Sequence, residues 1–245
     1  MLQALWMRPN RSVPGFMEGA KVLVVGHAVP GGGSGDSTIS HLRSTLLEYR
    51  ERGYRFCQAG ELSQDLTPGR NGMKATESFV VALEGGCRCQ RDYVWPLLKA
   101  MHIPVTLFLN PNRLGDEGMI SSLDLSVLLR EGVRLGGLWD TPVRLESLCT
   151  PDAAWNLELF CHTLMAHLPR TERKERDLWL ALPFEKGDER IVTLARAAGF
   201  TGVVDGVKVS RPHRLSRQLL KAGAGSKRWW FASKQVFQGV CPGGR

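Results

Sequence analysis

The sequence predicts an α/β fold of parallel strands with helices packed outside them, as a barrel or an open sheet. Three observations predict it. Short apolar runs alternate with helix-patterned segments from about residue 21 onward. The 245 residues suit one large α/β domain, or at most two small ones. Hydrophobic content of 43% and charged content of 23% are those of an ordinary globular chain with a sizeable core.

The elements follow in order. "KVLVV" (21–25) is a short β-branched run closed by Gly26 and His27, and a Gly/Ser loop spans 30–35. Asp36 or Ser37 can cap the next segment. "TISHLRSTLLEYRERG" carries apolar residues at 39, 42, 46 and 49, a helical stripe that Gly53 ends. "SFVVAL" (78–83) reads as a buried strand, and "RDYVWPLLKAM" as a helix with its proline near the start. "IPVTLFLN" (103–110) is a strand, "LDLSVLLREG" (123–132) a helix and "VRLGGL" (133–138) a strand. A long helix covers 153–168, then a strand 177–183, a helix 188–199 and a strand 201–206. The domain boundaries this implies are an extension at 1–20, a strand–helix domain at 21–220, and a basic, Trp-containing segment at 221–245.

Functional residues of such folds lie at the C-terminal ends of the strands. That rule selects His27, Glu84, Asn110, Trp139, Asp140, Phe184, Glu185 and Asp205. Glu84 stands in "VALEGGCRC", where an acid and two glycines close a strand. Its readings are a general base or ligand-gripping group, or an acid paired with a nearby Arg or Lys. His27 reads as a proton carrier or as a residue bonded to backbone. Asp140 reads as a ligand contact or as a turn residue before Thr141 and Pro142.

The net charge of +8 and a pI near 9.4 favour anionic partners. Arg211, Arg214 and Arg217 recur every three residues, a candidate grip for phosphate or carboxylate. Lys227, Arg228, Trp229, Trp230 and Lys234 suit sugar stacking or single-stranded nucleic acid, or a tryptophan pair docked on the domain. Six scattered cysteines read as free thiols of a reducing compartment. Cys87 and Cys89 lack zinc-ribbon spacing, and Cys87 reads as a quiet thiol more than a nucleophile. His162 and His167, five apart, do not share a helical face for a metal. "PRTERKERD" (169–177) is a solvated connection. No run approaches the ~18 apolar residues of a membrane span, and the N-terminus has no signal-peptide pattern. A cytoplasmic protein is the expectation, with no membrane partner.

The order of the pieces resembles the polysaccharide deacetylase family. "VLVVGHAV" is similar to its first strand, with Gly26-His27 where a Tyr-His pair is usual. "ALEGGCR" followed by "VWPLLKAMHIPVTLFLN" resembles the strand ending in Phe-Asp-Asp-Gly and the elements after it. "EGVRLGGLWDTPVRLESLC" resembles the segment with the His-x-x-x-His motif, and "LALPFEKGDERIVTLARAAGF" the Pro-Tyr-Gly segment. The resemblance covers about 22–217 and implies a distorted (β/α) barrel of about seven parallel strands. In that family a divalent metal, usually zinc, is held by the second Asp and the two His, while the first Asp is the base. The metal polarises the acyl carbonyl and acidifies a bound water. Carried over, Glu84 stands at the base, Gly85 at the metal-binding Asp, and Leu138 and Pro142 at the two His. Gly, Leu and Pro offer no side-chain ligand. Ala181 takes a position that is Arg in some members, and Glu185 replaces the motif glycine after Pro183 and Phe184.

The expectation is therefore a deacetylase-like barrel with no metal or other cofactor. It would act on or bind an N-acylated amino sugar or glycosylated small molecule. Glu84, His27 and Asp140 would be the catalytic set, with Asn110, Trp139, Phe184, Glu185, Asp205 and Arg211 around the ligand. The alternative is a pseudoenzyme that binds carbohydrate or polyanion. Nucleic acid is not expected as a partner.

Overall fold

The computed structural model describes residues 21–25, 28–30, 37–65, 78–168, 177–182, 189–205 and 214–219. The segments 1–20 and 221–245 lie outside them. The strands are β1 (Lys21–Val25), β2 (Ala28–Val29), β3 (Ser37–Thr38), β4 (Arg55–Phe56), β5 (Ser78–Glu84), β6 (Val105–Leu109), β7 (Arg134–Leu138), β8 (Trp179–Ala181), β9 (Gly202–Asp205) and β10 (Arg214–Leu219). The helices are α1 (Ile39–Glu51), α2 (Ala59–Asp65), α3 (Trp95–Ala100), α4 (Ser122–Arg130), α5 (Thr150–Ala166) and α6 (Glu189–Ala197).

Seven parallel strands form a ring in the order β1, β5, β6, β7, β8, β9, β10 and back to β1. Alternation along each strand sorts its residues into two layers. Leu23, Val81, Leu107 and Leu135 belong to the outer layer with helix residues Leu98, Leu125, Leu157 and Ile191. Val24, Ala82, Phe108, Leu138, Trp179 and Val204 form the inner layer. Gly136 lies opposite Phe108 in register, and a Cβ there would fall 2.5 Å from the Phe108 ring. Glycine at 136 thus makes room for the phenyl group that fills the barrel.

One end of the barrel is closed. α2 contributes Ala59 and Leu62 to the inner layer, and Asp177, just before β8, accepts from the Gly60 N–H at 3.2 Å. β4 pairs with the start of β5. The C-terminal strand ends lie at the opposite end and form the mouth.

One expectation needs correction. Thr38, not Asp36 or Ser37, caps α1, because Ser37 and Thr38 are drawn into a parallel pairing with β2. Pro96 is the second residue of α3, near its start as expected, and a π-turn, Gln90–Val94, precedes that helix. The wider turn suits a residue that cannot donate to the carbonyl four back. The sequence pattern does not mark α2, β4 or β10. β10 lacks apolar alternation and is a strand because β1 and β9 both pair with it. Arg214 and Arg217 fall on β10, and Arg211 lies outside the described residues.

α4 opens on a reciprocal cap. The Asp124 N–H donates to Ser121 Oγ at 3.1 Å, and the Ser121 N–H and hydroxyl donate to Asp124 Oδ2 at 2.9 and 2.8 Å. Arg91 adds an ion pair at 2.6 Å. The Ser121 backbone N–H, then its hydroxyl and Arg91, hold the Asp124 carboxyl below the usual carboxylate range against partial burial. A depressed carboxyl stabilises the fold above its unfolded pKa, and the contribution fades as pH falls through the folded one. Asp124→Asn should therefore melt below wild type at neutral pH. The gap should narrow as pH drops below about 4, as thermal melts across pH would reveal.

Candidate functional site at the barrel mouth

The inner-facing parity of β5, β6 and β7 runs through Val80 and Ala82 to Glu84, through Phe108 to Asn110, and through Leu138 to Asp140. Three polar side chains thus crown neighbouring strands above an apolar floor. Glu84 and Asn110 are each 7% exposed. Asn110 Nδ2 donates to Asp140 Oδ1 at 2.9 Å, while Asn110 Oδ1 accepts from the Asn112 N–H at 3.1 Å. Arg113 Nη1 reaches Asp140 Oδ2 at 3.4 Å. Both Asp140 oxygens are thus engaged by neighbouring side chains.

Trp139 has the opposite parity. Its indole is buried in the outer layer, edge-on to Phe160 of α5 at 5.2 Å, and Nε1 donates to the Val143 carbonyl at 2.9 Å. It packs the wall and does not line the mouth. Asp205 is the last residue of β9. His27, Phe184, Glu185 and Arg211 lie outside the described residues.

Two participants were not legible in the sequence. Arg113 sits in the short turn after Asn110, where a loop arginine carries no distinguishing mark. Gln90 is 2% exposed and bonds to the Glu84-Gly85-Gly86 turn.

No protein-family model matches the chain, and no curated protein matches it. Solved structures do. IcaB from Ammonifex degensii superposes with a TM-score of 0.67 at 22% identity, covering 88% of this chain and 96% of that one. The Streptococcus pyogenes deacetylase PplD, solved in complex with acetate, gives 0.68 at 11% identity over 87% and 97%. A polysaccharide deacetylase from Bacillus cereus gives 0.62 at 12% over 88% and 68%. The chain has the polysaccharide deacetylase fold. At these identities the likeness concerns architecture, and the chemistry must be read from the mouth itself.

At the three positions that the resemblance aligns with the family's metal ligands, Gly85, Leu138 and Pro142 offer no side-chain donor. Gly85 has φ 108°, a region L side chains rarely adopt. Leu138 is 3% exposed and packed in the inner layer, and Pro142 is exposed on the rim. Among the described residues no group of three or more His, Cys, Asp or Glu could hold an ion.

Beside Glu84 the free-thiol expectation fails. Cys87 and Cys89 are joined by a disulfide, with Cα atoms 5.4 Å apart. They flank the first helical residue after the Gly-Gly turn, which brings the two side chains together. Cys57 and Cys161 are buried, and Cys149 is exposed. Cys241 lies outside the described residues. Alkylation of unfolded, unreduced chain should leave Cys87 and Cys89 unlabelled until a reductant is added. Peptide mass spectrometry reads this directly, and labelling of both without reductant would contradict the pairing.

Proposed function

We propose that the barrel mouth engages an N-acylated amino sugar or a glycosylated small molecule, with Glu84 as the acid–base group and without the metal-bound water of ordinary deacetylation. The observation that carries this reading is a carboxylate kept on the inner face at the base position while glycine, leucine and proline stand where ligands are needed. The polysaccharide deacetylase fold supports the carbohydrate class. Glu84 would draw a proton from a water adding to the acyl carbonyl. The C–N bond would then break, and the proton would pass to the departing amine.

A second reading, binding without turnover, draws on one feature: Asp140 is already paired with Asn110 and Arg113. Acetate release from N-acetylated glucosamine oligosaccharides, with and without chelator, tests both. Chelator-insensitive release supports the first reading. Saturable sugar binding without release selects the second. Chelator-sensitive release overturns the metal-free chemistry, and neither binding nor release overturns both.

A further inference from the structure

Gln90 is placed where a helix surface would ordinarily show a polar residue to water, yet its side chain is buried. Its single amide ties three backbone groups. Oε1 accepts from the Gly86 N–H at 3.1 Å, and Nε2 donates to the carbonyls of Glu84 at 2.8 Å and Val25 at 3.2 Å. Val25 and Glu84 are the last residues of the adjacent strands β1 and β5. A neutral carboxamide is the side chain that supplies two donors and an acceptor together, so it matches this set of groups.

The π-turn contributes to the geometry. It begins at Gln90, whose carbonyl accepts from the Trp95 N–H. One extra residue in a turn rotates what precedes it by about 100° relative to the helix beyond. Trp95 and Leu98 can then pack on the outer layer while Gln90 turns to the strand ends. Gly85 and Gly86 both hold positive φ. Their turn is also bonded away from β1, the Gly85 N–H donating to the Phe108 carbonyl and the Gly86 carbonyl accepting from the Ile120 N–H, each at 2.9 Å, while Gln90 is the side chain that links it to the end of β1.

We propose that Gln90 is a positioning residue, whose amide fixes the Glu84-Gly85-Gly86 turn against β1 and so aims the Glu84 carboxylate into the mouth. This rests on the reading of Glu84 as the acid–base group.

The test uses the full chain with Gln90→Met, of similar shape without the hydrogen bonds, and Gln90→Glu, which keeps the acceptor. Among the described residues, the charged groups nearest in sequence and hydrogen bonding to a carboxyl at 90 are Glu84 on β5 and Arg88 and Arg91 on its own helix. Arg88 is turned to the Met119 carbonyl, and Arg91 to Asp92 and Asp124. In Gln90→Met, kcat for chelator-insensitive release should fall about 10- to 100-fold with KM nearly unchanged, in a chain that remains folded by circular dichroism. In Gln90→Glu the deficit relative to wild type at each pH should shrink as pH falls, because a protonated carboxyl regains one donor. Wild-type kcat in a folded Gln90→Met chain, or a Gln90→Glu deficit independent of pH, overturns the proposal.

If wild type itself releases no acetate, that reading fails separately. The positioning role is then judged by the titration of Glu84, followed by carboxyl-carbon NMR in wild type and Gln90→Met, and by exchange of the Gly86 amide. A displaced Glu84 titration with faster Gly86 exchange supports it. Unchanged titration overturns it.

Discussion

Glu84→Gln should leave the barrel folded and lower chelator-insensitive turnover by about 10²- to 10⁴-fold, the usual range for loss of a general base. The two side chains are nearly isosteric, and glutamine keeps an acceptor oxygen. It cannot take a proton from water. The position is 7% exposed above Val80 and Ala82, so exchanging a carboxylate for a neutral amide there removes a charge from a largely apolar surrounding. Stability should hold or rise slightly, separating a chemical loss from an unfolding one. Measuring kcat, KM and Tm on the same preparation decides the matter. Unchanged turnover would mean that Glu84 is a remnant at the base position, not the base.

Trp179→Ala should be the most damaging single truncation of the described core. The indole is fully buried among Val24, Phe108, Ala181 and Val204 at the centre of the inner layer. Its Nε1 also donates to Asp177 Oδ1 at 2.6 Å, and Asp177 in turn accepts from the Gly60 N–H of α2. Removing it opens a large cavity and strips a donor from the carboxylate that ties α2 across the closed end. Large aromatic truncations of this kind cost about 3–5 kcal/mol, against a total of roughly 5–15 kcal/mol for a domain. Trp179→Phe, which keeps much of the volume, should cost clearly less. Denaturant unfolding of the pair provides the comparison, and equal small losses would contradict a packed barrel interior.

Much of this architecture is legible in the sequence because the strands of a parallel barrel are buried on both faces and read as continuous apolar runs. "SFVVAL" and "IPVTLFLN" are β5 and β6, and the stripe at 39, 42, 46 and 49 is α1. β10, "RLSRQL", has no such signature and is held by its neighbours. Parity is legible as well. Trp139 and Asp140 both follow the end of β7, but a period of two allows only one of them to share the inner face with Leu138. Asp140 does, and Trp139 packs against α5. Gln90 could not be told from a surface residue, because nothing in its neighbours marks a π-turn that rotates it inward. The Cys87–Cys89 bridge escaped for a related reason: spacing alone does not say which side chains a turn brings together.

The proposed departure from ordinary deacetylation rests on the metal position more than on any other feature. Elemental analysis of protein purified without a metal-binding tag addresses it most directly. The account predicts no stoichiometric zinc or other divalent ion. One tightly held ion per chain would contradict it, and the true ligands would then be sought among Glu84, Asp140 and His27.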